Sequence, residues 1–196
     1  MALKYAVNNS LSAITSLPSS ISGGALNLIS TQTASSSASL EFSIDGTYDA
    51  YVFKWININN STTAGNFTFQ VSTNGGSSYA TTVTSTFFRA YHNEAGTDSI
   101  LQYDTNDDRA QSTSFQPINY IRTGDNENGV GFMTLYNPSS TTFVKHFIAE
   151  SNDDGTYAVH RFIAGYFNTT SAIDSIQFKM ESGNITSGTI KMYGVA

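Results

Sequence analysis

Tyr51-Val52-Phe53-Lys54-Trp55-Ile56-Asn57-Ile58 has aromatic or β-branched side chains at six of its eight positions, the composition of a β-strand. On its N-terminal side Leu40, Phe42 and Ile44 alternate with polar residues, and Asp45-Gly46 marks a turn. On its C-terminal side Phe67, Phe69 and Val71 alternate in the same way until Asn74-Gly75-Gly76, which reads as a hairpin turn. Period-two alternation places one set of side chains on an interior face, so this region predicts strands of a layered β-fold.

The rest of the chain repeats the pattern. Strands are expected at Thr81–Tyr91, Pro117–Arg122, Val130–Tyr136, Thr142–Ala149, Tyr157–Phe167, Ile173–Met180 and Thr189–Val195. Between them lie the loop His92–Asp98 and the polar stretch Asp104–Ser114. Turn residues occur at Asn126–Gly129, Asn137-Pro138, Asp153-Asp154-Gly155 and Ser182-Gly183-Asn184. The count comes to roughly ten to twelve short strands, and no stretch of a dozen residues carries a helical stripe. We expect an all-β chain: an antiparallel β-sandwich with jelly-roll order and an extended N-terminal arm.

The first 39 residues differ from the remainder of the chain. They are rich in Ser, Ala and Leu, contain Pro18, and carry no charge between Lys4 and Glu41. We assign 1–39 to an arm that includes a first strand near Ala25–Thr31 and serves assembly contacts, and 40–196 to the sandwich.

Composition narrows the functional classes. Only 12% of residues are charged, whereas 27 Ser and 24 Thr supply a hydroxyl-rich surface. With 39% apolar residues, 13 Phe and 11 Tyr, the chain has ample core and is not a disordered polymer. A net charge of −6 without any basic run argues against nucleic acid as a partner. There are no cysteines to form disulfides or thiolate metal sites. Met1–Ser20 lacks the apolar core of a secretory leader, and no segment reaches the ~20 apolar residues of a spanning helix.

Residues that could carry chemistry are scattered. His92, His146 and His160 show no metal-ligand spacing and read as ordinary sheet positions. Asp104, Asn106 and Asp108 alternate oxygen ligands as a Ca²⁺ loop does, but Arg109 and Phe115 stand where an EF-hand needs Gly and Glu. Asp125, Asn126, Glu127 and Asn128 form a second oxygen-rich turn; solvated loops are the expectation for both. Glu41, Glu94, Glu127, Glu150 and Glu181 are read at strand ends or turns, outside any glycosidase-like pair. No Gly-x-Ser-x-Gly elbow is present. Trp55 reads as core, while Tyr48, Tyr51, Tyr79, Tyr91, Tyr103 and Tyr120 are candidates for a sugar-stacking platform. We expect no catalytic residue, no cofactor and no metal site.

Thr142-Phe143-Val144-Lys145-His146-Phe147, Ala164-Gly165-Tyr166-Phe167-Asn168-Thr169-Thr170 and Ile173-Asp174-Ser175-Ile176-Gln177-Phe178-Lys179 succeed one another toward Gly188-Thr189-Ile190-Lys191-Met192-Tyr193-Gly194-Val195. This succession, with Tyr48–Lys54 and Ser30–Ser39, resembles small β-rich virion proteins of tailed phages, notably those infecting marine bacteria and cyanobacteria. The resemblance implies a non-enzymatic structural protein of the virion, assembled in the host cytoplasm. Small size, the distinctive N-terminal arm and the lack of a long fibrous repeat put its expected place on the outer capsid surface, as a decoration or cement protein that forms a homotrimer on the major capsid protein. The alternative the resemblance implies is a tail-fibre or spike module that recognises host surface glycans.

Overall fold

The computed structural model describes residues 26–60, 64–124 and 126–195. The expected arm before residue 26 lies outside them. The described residues form thirteen strands and no helix. In chain order these are β1 (Leu26–Ser37), β2 (Leu40–Ser43), β3 (Ala50–Asn59), β4 (Gly65–Ser72), β5 (Val83–Asn93), β6 (Ser99–Tyr103) and β7 (Arg109–Ser112). Then come β8 (Gln116–Ile121), β9 (Gly129–Tyr136), β10 (Lys145–Asp153), β11 (Tyr157–Phe167), β12 (Ser175–Met180) and β13 (Ile185–Val195).

All pairings are antiparallel, and the strands make two sheets packed as a sandwich. The larger sheet runs β1-β13-β3-β9-β10-β11-β5-β6, with β7 also pairing with β5. The smaller runs β2-β12-β4-β8. Between them lies an aromatic core. Phe178 on β12 meets Phe42, Phe53, Phe67 and Phe69, with ring centroids 5.5–6.1 Å apart. Edge-on and offset contacts of this kind add to what burial alone provides. Trp55 is buried against Phe67, in the core as expected.

Alternation explains which side chains reach that core. Along β5, Val83, Ser85 and Phe87 face inward; along β11, Phe167 and Ile163 do so. In the same inward row as Trp55 sits Gly131, where a Cβ would come within 2.4 Å of the indole and 2.5 Å of the Glu150 carbonyl oxygen. The strand therefore needs glycine there to admit the large ring. A bulge interrupts β3 at Asn57, whose φ is +54°, and the opposing Gly188 fits against the Asn57 carbonyl.

Several local expectations are corrected. Asn74-Gly75-Gly76 is not a hairpin turn, because β4 is already flanked by β12 and β8 and the chain must cross to the other sheet. The turn is held by Asp174, whose Oδ2 accepts from the Gly75 N–H at 2.8 Å. β1 continues to Ser37 rather than stopping at Thr31, since β13 supplies a ladder partner along its length. The polar stretch Asp104–Ser114 contains β7, and β6 precedes it; both complete hydrogen bonds along β5. In β4 the polar Thr68, Gln70 and Ser72 are buried as well as the apolar set. Gln70 Nε2 donates to the carbonyls of Thr113 and Ser114 at 3.2 and 3.1 Å, Thr68 Oγ1 donates to the Lys179 carbonyl at 3.0 Å, and Ser72 Oγ donates to Asn74 Oδ1 at 2.8 Å.

Candidate functional site

The inward rows change character toward one end of the sandwich. On β5 the run Val83, Ser85, Phe87 continues as Arg89 and Tyr91; on β11 Ile163 gives way to Arg161, Val159 and Tyr157. Here the smaller sheet offers only the end of β8, with Tyr120, and then Arg122. The loop between β6 and β7 contributes Asp107. These groups enclose a half-open cleft of about 220 Å³. Three of the chain's four arginines are gathered in it.

Each arginine is held differently. Arg161 is buried and paired with the buried Asp153, and its Nη1 also donates to Asn119 Oδ1 at 3.4 Å. Burial, reinforced by the neighbouring Arg89, lowers the Arg161 guanidinium to about 10. Arg89 lies 3.4 Å from the buried Asp104 carboxylate. Arg122 has no ion-pair partner among the described residues. Its guanidinium sits 5.9 Å from the Tyr120 ring centre, and its buried Nε has no acceptor. Tyr91 and Tyr157 meet edge to face at 5.3 Å. Burial, and then the Asp104 carboxylate, raise the Asp107 carboxyl above the ordinary range.

The groups singled out from sequence mostly disperse. Asp104 turns to Arg89 and to the Asn106 N–H, and Asp108 accepts from the Tyr103 hydroxyl at 2.7 Å. Their carboxylates do not converge on a cation position. In the second loop Asp125 lies outside the described residues, and Glu127 accepts from the Gly124 N–H at 2.8 Å. No group of three or more acidic or histidine side chains is arranged for a metal among the described residues. His92 and His160 are diagonal neighbours on the outward face of β5 and β11, His146 is on β10, and His160 lies 3.4 Å from Glu150. Glu150 is mid-strand in β10, not at a strand end. Glu41 accepts from Gln177 at 2.6 Å, Glu181 accepts from Asn66 at 3.1 Å, and Glu94 comes directly after β5.

Of the six tyrosines named as a platform, only Tyr91 and Tyr120 line the cleft, where Tyr157 joins them. Tyr51 is buried, Tyr48 packs on the core, Tyr79 bonds Glu41 and Ser175, and Tyr103 is on the outer face. The three arginines belong to no sequence motif and were not expected at a site. Their signal was phase: Arg89 and Arg161 occupy positions that the alternation assigns to the interior.

A second feature is the outward face of the larger sheet. Across neighbouring strands Tyr103 stands opposite Phe88, Phe88 opposite Phe162, Phe162 opposite Glu150, and Glu150 opposite Phe132. The row continues through Lys54 and Lys191 to Thr31. The Phe88 and Phe162 rings stack at 4.9 Å. Ile148, Val130 and the 72%-exposed Leu101 flank the row. Compared with protein-family models, curated proteins and solved structures, the chain matches none.

Proposed function

We propose that the chain is a non-enzymatic structural protein of a tailed-phage particle, a decoration or cement protein that coats the outer capsid as a homotrimer. The outward apolar row of the larger sheet carries this reading. Large rings left in water are a standing cost, and exposed apolar side chains gathered on one face mark a contact surface. A low-charge, disulfide-free sandwich whose sheet edges need covering gains most from neighbours of its own kind.

Light scattering on the purified chain, together with copy counting on particles, tests it. A trimer that Phe132→Asp dissociates without unfolding, at on the order of hundreds of copies per particle, is the expected result. A monomer at all concentrations, or absence from particles, defeats it. The arginine- and tyrosine-lined cleft favours a second reading, a tail-fibre or spike module that recognises a host surface glycan. That role predicts only a few to some tens of copies per particle.

A further inference from the structure

We infer that the cleft between β5, β11 and β8 is a binding site for a carboxylate-bearing sugar, a hexuronate unit of an acidic polysaccharide, with Arg122 as the carboxylate receptor. The inference rests on the glycan-recognition reading and adds the chemistry of the ligand.

Arg122 is the residue that points to a ligand. Arg89 and Arg161 have their countercharges in Asp104 and Asp153, so neither needs one. No carboxylate among the described residues pairs with Arg122 as Asp104 and Asp153 pair with the other two arginines, although Glu127 stands near it beside Gly155. A planar guanidinium binds a carboxylate with two parallel hydrogen bonds; with Nε packed against Gly155, the two Nη groups are the pair left to make them and to neutralise the charge. The chain has nine basic residues in all, so one left unpaired in a concavity stands out against its sparse charge.

The remaining lining suits a sugar ring rather than an acidic peptide. Tyr91, Tyr120 and Tyr157 offer ring faces and edges for C–H groups, and hydroxyls for hydrogen bonds. Asp107 adds an acceptor for sugar hydroxyls to the lining and would repel a second acidic group. At about 220 Å³ the cleft is smaller than the ~300–1,000 Å³ of drug-sized sites, so it holds one ring-sized unit.

The test titrates the full chain, by calorimetry and by amide chemical shifts, with a galacturonate trisaccharide, a neutral galactose trisaccharide and a glutamate-rich peptide. The expected result is saturable binding of the galacturonate, about ten-fold or more tighter than either comparator, with shifts confined to the cleft. Arg122→Gln should weaken it about ten-fold or more and Arg122→Lys less, with melting temperatures confirming the fold of both. Should Arg122→Gln not fold, the shift map of the unaltered chain decides alone. Equal affinity for the neutral trisaccharide overturns the uronate assignment and leaves glycan recognition standing. Equal affinity for the peptide, indifference to Arg122→Gln in a folded variant, or shifts elsewhere overturn it as well. Binding of no saccharide overturns both.

Discussion

Arg89 and Arg161 stand directly opposite each other across β5 and β11, two cations on neighbouring interior positions of one sheet. Like charges in that relation repel, and the fold tolerates them because Asp104 and Asp153 each take one. The arrangement makes this end of the sandwich dependent on complete pairing. Asp153→Asn strands Arg161 as a buried cation and should cost about 3–5 kcal/mol in denaturant unfolding. Replacing both partners together, Arg161→Met with Asp153→Leu, should return stability to within about 1 kcal/mol of the original. A double variant as unstable as the single one would refute this account.

Gly131→Ala should destabilise by about 1–3 kcal/mol, because the new methyl meets the Trp55 ring and the Glu150 carbonyl. Trp55 is the only tryptophan, so its fluorescence reports the displacement directly. An unchanged emission spectrum and an unchanged unfolding midpoint would contradict the packing described.

Lys145 is buried, with Nζ donating to the Thr169 carbonyl at 3.2 Å, and burial lowers its ammonium below the ordinary 10.5. The unfolded chain then holds more protons between the lowered value and 10.5, so this group's contribution to stability rises with pH across that window. Below the window the full penalty of a buried ammonium applies. Lys145→Met should lack that slope and melt higher at neutral pH, by about 2–4 °C for each kcal/mol recovered. Parallel pH profiles for the two proteins would count against it.

Tyr51 donates its hydroxyl to Asp45 Oδ1 at 2.6 Å, and this bond, with those from Thr47, holds the Asp45 carboxyl below its ordinary 3.8. A depressed carboxyl stabilises above the unfolded value and loses that contribution as pH falls through the folded one. Tyr51→Phe should therefore cost about 1 kcal/mol at neutral pH, with a smaller difference at strongly acid pH. Carboxyl chemical shifts should show Asp45 titrating closer to 3.8 in the variant.

Much of the sandwich was legible because alternation and turn chemistry act over a few residues. Leu40, Phe42 and Ile44, the run through Trp55, and Tyr157–Phe167 supply strands and core side chains where alternation placed them. Asn74-Gly75-Gly76 misled because a turn sequence states that the chain bends, not which sheet the next strand joins. β7 was missed because its polar residues are strand only by virtue of β5 beside them.

The cleft was less accessible to that kind of reading. Arg89, Arg122 and Arg161 are far apart in the chain, and no spacing rule links them. Inward phase could have flagged Arg89 and Arg161 one at a time; only antiparallel pairing of β5 with β11, and the end of β8 crossing above, brings them to one wall. Local side-chain pattern was thus enough to dictate strands and their buried sides, since each residue's choice of face depends on its immediate neighbours. Which strands adjoin, and which charges meet, waited for long-range pairing, because those contacts join positions the chain keeps tens of residues apart.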